Sequence, residues 1–281
     1  MKTLAYEVDG RVARIALNRP ERGNAITLDT PRELTECVER ANVDPQVHVI
    51  ALSGEGKGFC GGYDLVEFAE RGMPNHDPNE VWDPVLDWQG MSRNVRGFMS
   101  LFRSDKPVVC KVQGFCVAGG TDLALCADLL VIAEDARIGY PPARVWGSPT
   151  TALWAHRLGP QRAKRLLFTG DLIDGRTALE WGLAIEAPPA AELDERFEEL
   201  IQRIANTPVN QLVMMKLLVN STIEAQGLAA TQTLGTLFDG IARHTKEGYA
   251  FQQRAMEAGF KEAVRERDEP YGDARPPQSS S

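Results

Sequence analysis

Hydrophobic and polar residues alternate at the start of the chain, and this pattern predicts a β-hairpin. The alternating segments run from Leu4 to Val8 and from Val12 to Leu17, with Asp9-Gly10 between them. Asp-Gly between two alternating segments is a strong hairpin signal, because both residues tolerate the positive φ angles of a tight turn. We therefore expect the chain to open with two antiparallel strands.

A polar turn at residues 18–25 precedes a predicted helix. We expect Thr30 to cap this helix, with Pro31 at the first helical position and Glu33 closing a capping box. Apolar residues then recur at helical spacing, namely Leu34, Cys37, Val38 and Ala41. The pattern predicts one helix with a single buried face.

A short apolar strand at 47–52 leads into a glycine-rich segment at 53–64. The segment contains Gly56-x-Gly58-x-x-Gly61, which formally matches a dinucleotide-binding fingerprint. That fingerprint requires a second strand ending in an acid about 20 residues later, whereas the nearest acid, Asp77, lies in a predicted loop. The alternative is a flat glycine platform whose amides face a ligand, with residues 64–68 opening the next helix.

A second glycine segment follows the apolar strand at 107–112. It contains Gly114, Gly119 and Gly120, and Asp122 lies in the first turn of the helical pattern that comes next. A strand that leads through glycines into a helix leaves backbone N–H groups unpaired, so a ligand oxygen could bind there. The carboxylate could then move a proton beside that oxygen. A tight turn with an acid favoured by the helix dipole would give the same pattern.

The remaining elements up to residue 190 are predicted from periodicity. Residues 72–90 are interpreted as an inserted loop, either a pocket lid or surface decoration. The predicted elements are a helix at 91–102, strands at 129–133 and 136–140, helices at 147–158, 162–168 and 174–181, and a strand at 183–186.

After Pro188-Pro189 the pattern predicts only helices, at 193–204, from 208, at 234–241 and at 246–267. These helices carry more apolar surface than a lone subdomain can easily bury, which indicates oligomerisation. We therefore divide the chain into a core at 1–190, a helical oligomerisation region at 191–268 and a disordered tail at 269–281.

Composition and net charge limit the classes of function that the chain can have. The chain has 281 residues, of which 43% are hydrophobic and 25% charged, as in ordinary soluble globular proteins. A net charge of −8 argues against a nucleic-acid partner. Five scattered cysteines and four histidines without ligand spacing indicate free thiols and no metal site. The N-terminus is not a signal peptide and no apolar run approaches ~18 residues, so we expect a cytoplasmic protein with no membrane partner.

The two glycine segments, at 58–65 and 113–123, resemble those of the crotonase superfamily, also called the enoyl-CoA hydratase/isomerase family. Further matching motifs are Asn18-Arg19-Pro20 with Asn24-Ala25, Ala127-Asp128, and Glu247-Gly248-x-Ala250-Phe251. The resemblance covers nearly the whole chain and is specific only when the motifs are taken together. It implies an α/β fold: a crotonase-like spiral of ββα units with a C-terminal helical trimerisation region. The implied ligand is an acyl-CoA thioester, with no cofactor besides that coenzyme A, and the implied assembly is a homotrimer or a dimer of trimers.

The resemblance also implies a set of site residues. Two backbone amides that hold the thioester oxygen fall on Tyr63 and Gly119, and the carbonyl that reads the adenine ring falls on Gly61. The remaining positions expected to bind substrate are Arg22, Gly23, Lys57, Asp64, Gly120, Pro142 and Trp146, together with Phe251 and Arg254, which match residues that reach a neighbouring subunit's ligand. Arg22 and Lys57 are the candidates for the coenzyme phosphates.

The chain departs from the family pattern at the catalytic acids. Hydratases that it resembles use two glutamates, and the matching positions here are Asp122 and Pro142. We therefore expect Asp122 to be the acid/base. Efficient hydration requires two acid–base side chains to orient and activate one water molecule. A single carboxylate suffices for isomerisation or thioester hydrolysis. The hypotheses are a lyase or isomerase of this family, another crotonase chemistry such as a hydrolase or decarboxylase, and a non-catalytic CoA-binding homologue. Neighbouring side chains that could assist are Tyr140, Arg144, Trp146 and His156.

Overall fold

The N-terminal hairpin is confirmed by the computed structural model, which describes residues 1–71, 75–77 and 79–272. Strand β1 (Leu4–Asp9) pairs antiparallel with β2 (Val12–Leu17). Beyond this hairpin the sheet continues with parallel pairs, in the order β1-β2-β3-β4-β6. Its other strands are β3 (Val49–Gly54), β4 (Val108–Val112) and β6 (Leu129–Ile132).

A second sheet carries the second glycine segment. Its strands, β5 (Phe115–Val117), β7 (Arg137–Gly139) and β8 (Leu172–Asp174), lie in the order β5-β7-β8. The helices of the core are α1 (Thr30–Val43), α2 (Pro84–Phe102), α3 (Gly119–Ala124), α4 (Trp154–Thr169) and α5 (Gly175–Glu180). The side chains between these layers form one continuous hydrophobic core, so α3 and its acid are held on a rigid base.

Five helices form the C-terminal region: α6 (Leu193–Ala205), α7 (Val209–Ala225), α8 (Leu228–Arg243), α9 (Lys246–Ala258) and α10 (Phe260–Asp268). The single helix predicted at 246–267 is wrong, because Gly259 has φ 84° and ψ 151° and interrupts it. A positive φ of this kind favours glycine. As a result α10 folds back against α9.

The predicted tail is wrong at its first residues. Glu269–Tyr271 forms a 3₁₀ turn, and the Arg144 guanidinium lies 4.0 Å from the centroid of the Tyr271 ring. This cation–π contact and the turn order the chain beyond α10. Residues 273–281 lie outside the described residues.

The predicted loop at 72–90 is also partly helical. Asp83 accepts hydrogen bonds from the Val85 and Leu86 amides, and Pro84 occupies the first position of α2. An aspartate cap followed by proline is a helix-start signal that outweighs the loop-like composition. Residues 72–74 and 78 lie outside the described residues.

Three further predictions near the second sheet need correction. No helix begins at 147, since α4 begins only at Trp154 and the preceding segment is irregular. The strand predicted at 183–186 is reduced to one bridge between Val131 and Glu186. Strand β8 was missed, because three residues are too few to show alternation.

Glu33 does not close a capping box. Asp29 occupies the N-cap position, and the buried Glu33 carboxylate instead accepts hydrogen bonds from the Lys2 amide at 2.8 Å and the Thr3 amide at 2.9 Å. Burial would raise the pKa of Glu33, but these hydrogen bonds outweigh it and hold the pKa below its usual value. Glu33 therefore fastens the N-terminus to α1 by charge-assisted hydrogen bonds.

In the described part of the chain, no helix is both long and apolar enough to cross a membrane. Among the same residues no three His, Cys, Asp or Glu side chains are grouped as metal ligands would be. All five cysteines are buried free thiols.

Candidate active site

Asn24 organises the first glycine segment. It has φ 55°, a left-handed conformation that asparagine tolerates better than most residues. Its side-chain oxygen accepts from the Arg19 amide at 2.9 Å, and its NH₂ group donates to the Glu55 carbonyl at 2.9 Å and the Gly58 carbonyl at 3.0 Å. Asn24 therefore joins the polar turn to the first platform.

The two glycine segments lie directly against each other. The Cys60 carbonyl accepts a hydrogen bond from the Val117 amide at 3.0 Å. A Cβ on Gly120 would lie 2.6 Å from the Cys60 carbonyl oxygen, and a Cβ on Gly62 would lie 3.3 Å from the Gly119 nitrogen. Glycine is required here because a side chain would push the two segments apart.

The amides of Tyr63 and Gly119 are both available. In the parallel bridge beside Tyr63, the Ile26 amide donates to the Gly62 carbonyl at 2.8 Å and the Asp64 amide donates to the Ile26 carbonyl at 3.0 Å. The Tyr63 amide faces away from this bridge. Among residues 1–71, 75–77 and 79–272, no protein acceptor takes either the Tyr63 or the Gly119 amide hydrogen. Two free donors therefore lie on segments in contact.

Asp122 lies in the first turn of α3 and is only 1% exposed. Its Oδ1 accepts from the Thr151 amide at 3.0 Å and the Thr151 hydroxyl at 2.6 Å, while the Thr150 hydroxyl lies 3.4 Å from Oδ2. Burial raises the pKa of Asp122 to about 6, although the hydrogen bonds from Thr151 oppose the shift. A carboxyl group that titrates near neutral pH can both accept and return a proton. The partners Thr150 and Thr151 were not predicted.

A second buried acid, Asp239, comes from α8. It is 7% exposed, its Oδ1 accepts from the Ser148 amide at 3.3 Å, and its Oδ2 accepts from Arg243 Nε at 3.2 Å. Burial raises the pKa of Asp239, and the charge of Asp239 in turn raises the pKa of Asp122. The sequence pattern showed the apolar stripe of α8 but gave no sign that the acid between its residues faces inward.

Asp64 lies on the predicted coenzyme side of the site. Asp64 accepts from Arg22 at 2.9 Å, from Arg19 at 3.1 Å and from the Val66 amide at 3.2 Å. Burial would raise the pKa of Asp64, but the bonds from Arg22 and Arg19 outweigh it and lower the pKa. Asp64 therefore holds the turn at Arg22 against the first platform, and its own contact with the substrate stays a prediction.

Gly61 and Gly23 meet at the same platform. The Gly61 amide donates to the Gly23 carbonyl at 2.9 Å. The Gly61 carbonyl accepts no hydrogen bond from any residue that the structure describes, so it is available to a ligand N–H group. Lys57 is exposed on the same platform, and Arg22 is 41% exposed despite its contact with Asp64. Both cations are therefore accessible to an anion.

Phe251 and Arg254 make contacts within their own chain. Phe251 is 7% exposed, and its ring centroid lies 5.3 Å from that of Trp146. Arg254 pairs with Glu266 of α10 at 2.8 Å. The fold-back at Gly259 packs α9 and α10 onto the body of the same chain, and the role of Phe251 and Arg254 at a neighbouring subunit's ligand stays a prediction.

Trp146 combines a strained backbone with an unsatisfied donor. Its φ is 82°, which costs about 1–3 kcal/mol for a residue with a large side chain. No acceptor within the described ranges takes its buried Nε1–H group. Tyr140, which precedes Trp146 in the chain, is also buried. Its hydroxyl donates a hydrogen bond to the Ser148 carbonyl at 2.8 Å. Arg144 is hydrogen-bonded to Asp268, and His156 is hydrogen-bonded to Gln226.

Comparison with known proteins agrees with this geometry. A model of the enoyl-CoA hydratase/isomerase family matches residues 7–261. Carnitinyl-CoA dehydratase of Escherichia coli is 30% identical over 84% of this chain and 86% of its own. An enoyl-CoA hydratase structure from Mycobacterium smegmatis is 60% identical, with a TM-score of 0.94 over 98% of this chain and 96% of that one. An enoyl-CoA hydratase/isomerase from Xanthobacter autotrophicus is 26% identical, with a TM-score of 0.85 over 95% and 98% of the two chains.

These matches confirm the predicted fold class, including the helical C-terminal region, and they span both glycine segments and Asp122. They are far too extensive for a dinucleotide-binding fold, so the fingerprint match at Gly56 is incidental. The chain is an enzyme of the enoyl-CoA hydratase/isomerase family, within the crotonase superfamily.

Proposed function

We propose that this enzyme binds an acyl-coenzyme A thioester and forms its enolate, with the thioester oxygen held by the Tyr63 and Gly119 amides. The observation that carries the proposal is the pair of unpaired amides on segments in contact, with one buried carboxylate in the adjoining helical turn. Each donor of such an oxyanion hole is worth about 3–4 kcal/mol in the transition state. The reaction uses no cofactor beyond the coenzyme A of the substrate.

Asp122 is the group that moves the proton. In its ionised form it takes a proton from the α-carbon, and the electron pair of that C–H bond moves to the thioester oxygen as an enolate. The Thr151 hydroxyl, 2.6 Å from Oδ1, holds the carboxylate in one orientation. If the proton on Asp122 is first replaced by one from solvent, its delivery to the α-carbon gives exchange. Delivery of the proton to another carbon of an unsaturated chain gives isomerisation.

The first prediction tests enolate formation directly. The enzyme is incubated with a saturated acyl-coenzyme A in D₂O, and α-deuterium is followed by mass spectrometry. We expect enzyme-dependent exchange at the α-carbon, because the two amides stabilise the enolate even where no further reaction is possible. Free coenzyme A in the same spectra would indicate a hydrolase, and loss of CO₂ from a thioester that carries an α-carboxylate would indicate a decarboxylase. A wild-type enzyme that gives no exchange contradicts the proposal.

We also propose that the chain assembles as a homotrimer, alone or as a dimer of trimers. Large apolar side chains on α7 and α8 are exposed in the single chain: Met214, Met215, Leu217, Leu218, Val219, Leu234, Leu237, Phe238 and Ile241. Monomeric soluble proteins rarely expose so many neighbouring apolar side chains. Contact with further copies of the chain would bury them.

The second prediction concerns this surface. Phe238→Asp places a charge among the exposed apolar residues of α8, so the assembly should dissociate, as measured by sedimentation velocity. Phe168→Asp is the matched control, because Phe168 is 79% exposed on α4, outside these helices. A wild-type protein that sediments as a monomer contradicts the proposed assembly.

We further propose a cytoplasmic location. Five buried thiols that form no disulfide are suited to a reducing compartment. Cell fractionation with an antibody to the protein tests this location.

A further inference from the structure

Gly147 lies against a wall formed by Pro142, Tyr140 and Asp239. A Cβ on Gly147 would lie 3.0 Å from Pro142 Cβ, 3.3 Å from the Tyr140 hydroxyl and 3.6 Å from Asp239 Oδ1. Because glycine has no Cβ, these groups approach its backbone closely, and the wall brings a proline ring, a phenol and a carboxylate to one point. Pro142 itself can neither give nor take a proton, so Asp239 is the acid–base group at this wall.

The segment that follows Gly147 is held between the two carboxylates. The Ser148 amide donates to Asp239 Oδ1 at 3.3 Å, and three residues later the Thr151 amide donates to Asp122 Oδ1 at 3.0 Å. Gln232 of α8 donates to the Thr151 carbonyl at 3.0 Å. These bonds fix α8, and with it Asp239, against the segment that orients Asp122.

Arg243 separates the roles of the two acids. Its guanidinium contacts Asp239 Oδ2 at 3.1 Å and Asp87 of α2 at 3.0 Å. Burial raises the pKa of both Asp239 and Asp122, but Asp239 alone has the adjoining cation, which favours its ionised form. The other titratable groups near the two acids include the phenols of Tyr140 and Tyr63.

We propose that Asp239 is the second carboxylate of the reaction, and that it holds and deprotonates the water that adds to an enoyl thioester. This inference rests on the proposed enolate chemistry and makes the enzyme a hydratase. The water oxygen bonds to the β-carbon and its proton goes to the Asp239 carboxylate, while the C=C π pair moves to the thioester oxygen. Protonated Asp122 then gives its proton to the α-carbon. Transfer of the proton from Asp239 to Asp122 through solvent completes the cycle.

The test separates water addition from enolate formation. Asp239→Asn keeps an oxygen for the Ser148 amide but loses the base. We expect hydration of a short enoyl-coenzyme A, followed by loss of absorbance of the conjugated double bond, to fall by about 10²-fold or more. Exchange of the α-proton of a saturated thioester in D₂O should stay within a few-fold, since it needs only Asp122. The acidic limb of the pH–rate profile of hydration should disappear in the variant.

Two further variants keep the result interpretable. Asp87→Asn removes the other carboxylate of Arg243 but leaves Asp239 beside Gly147, so hydration should stay within a few-fold. Gly147→Ala places a methyl group against Pro142, the Tyr140 hydroxyl and Asp239, so hydration should fall while exchange is kept. Gly147 has no positive φ, and its backbone therefore accepts alanine.

Four outcomes would overturn the inference. These are unchanged hydration in Asp239→Asn, an equal loss in Asp87→Asn, a parallel loss of exchange and hydration in Asp239→Asn, and a wild-type enzyme that exchanges the α-proton but adds no water. The last outcome leaves the proposed enolate chemistry intact. A wild-type enzyme without exchange contradicts that chemistry and the role of Asp239 together.

Discussion

Asp122→Asn lowers kcat by about 10³-fold and leaves the Kd for an acyl-coenzyme A within a few-fold. Asparagine keeps the shape of the side chain and an acceptor for the Thr151 amide, but it cannot carry a proton between carbon and solvent. The measurement is steady-state turnover together with calorimetric binding of a saturated thioester. Asp135→Asn, an exposed site with the same chemical change, is the control. Full turnover in Asp122→Asn would remove this residue from the mechanism.

The same substitution should stabilise the fold above neutral pH. Burial raises the pKa of Asp122 from 3.8 to about 6, so the folded state holds its proton more tightly than the unfolded state. Stability of the natural protein therefore falls as pH rises from about 4 to 6, by up to ~3 kcal/mol. Asparagine does not titrate, so the variant should unfold at higher urea concentration than the natural protein at pH 8 but not at pH 4.

Gly119→Ala should lower kcat by about 10²-fold with little loss of stability. The new Cβ would lie 3.0 Å from Tyr63 Cδ2 and 3.1 Å from Ile26 Cδ1. The backbone at this first position of α3 accepts alanine, so the fold persists while the tyrosine ring and both amides shift by a few tenths of an ångström. A shift of the donors is costly because they must meet the developing oxyanion in one geometry.

The control for this variant is Gly90→Ala. The Cβ of an alanine at position 90 would contact only the Arg93 guanidinium, at 4.0 Å. Like Gly119, Gly90 lies in a helix, α2. Turnover should be unchanged in Gly90→Ala, and the melting temperature should be unchanged or slightly higher, because alanine is favoured over glycine inside a helix. Equal losses in the two variants, or a Gly119→Ala enzyme with natural turnover, would argue against donors at Tyr63 and Gly119.

The parts of the site that sequence predicted are those with a local cause. Asp9-Gly10 makes a hairpin whatever surrounds it, and Gly62 and Gly120 are needed wherever two backbones approach closely. The chain also places Asp122 one turn into α3, so its position follows from three neighbouring residues. Local chemistry and a family resemblance were sufficient for these features.

Contacts between residues far apart in the chain could not be predicted. Asp239 is brought to Ser148 across 91 residues, and nothing near it distinguishes it from a solvated acid of α8. The irregular segment around Thr150 and Thr151 has the composition of a helix start, yet its amide and hydroxyls bind Asp122 instead. The pairing of Asp64 with Arg19, which lies 45 residues earlier, could not be predicted either.

The packing of Phe251 on Trp146 of the same chain has a consequence for how copies of this enzyme would work together. Every group assigned here to the reaction, namely Tyr63, Gly119, Asp122 and Asp239, belongs to a single polypeptide. A trimer would then contain three active sites that work independently of one another. In hybrids of intact and Asp122→Asn chains, the rate should rise in direct proportion to the fraction of intact chains, with no threshold.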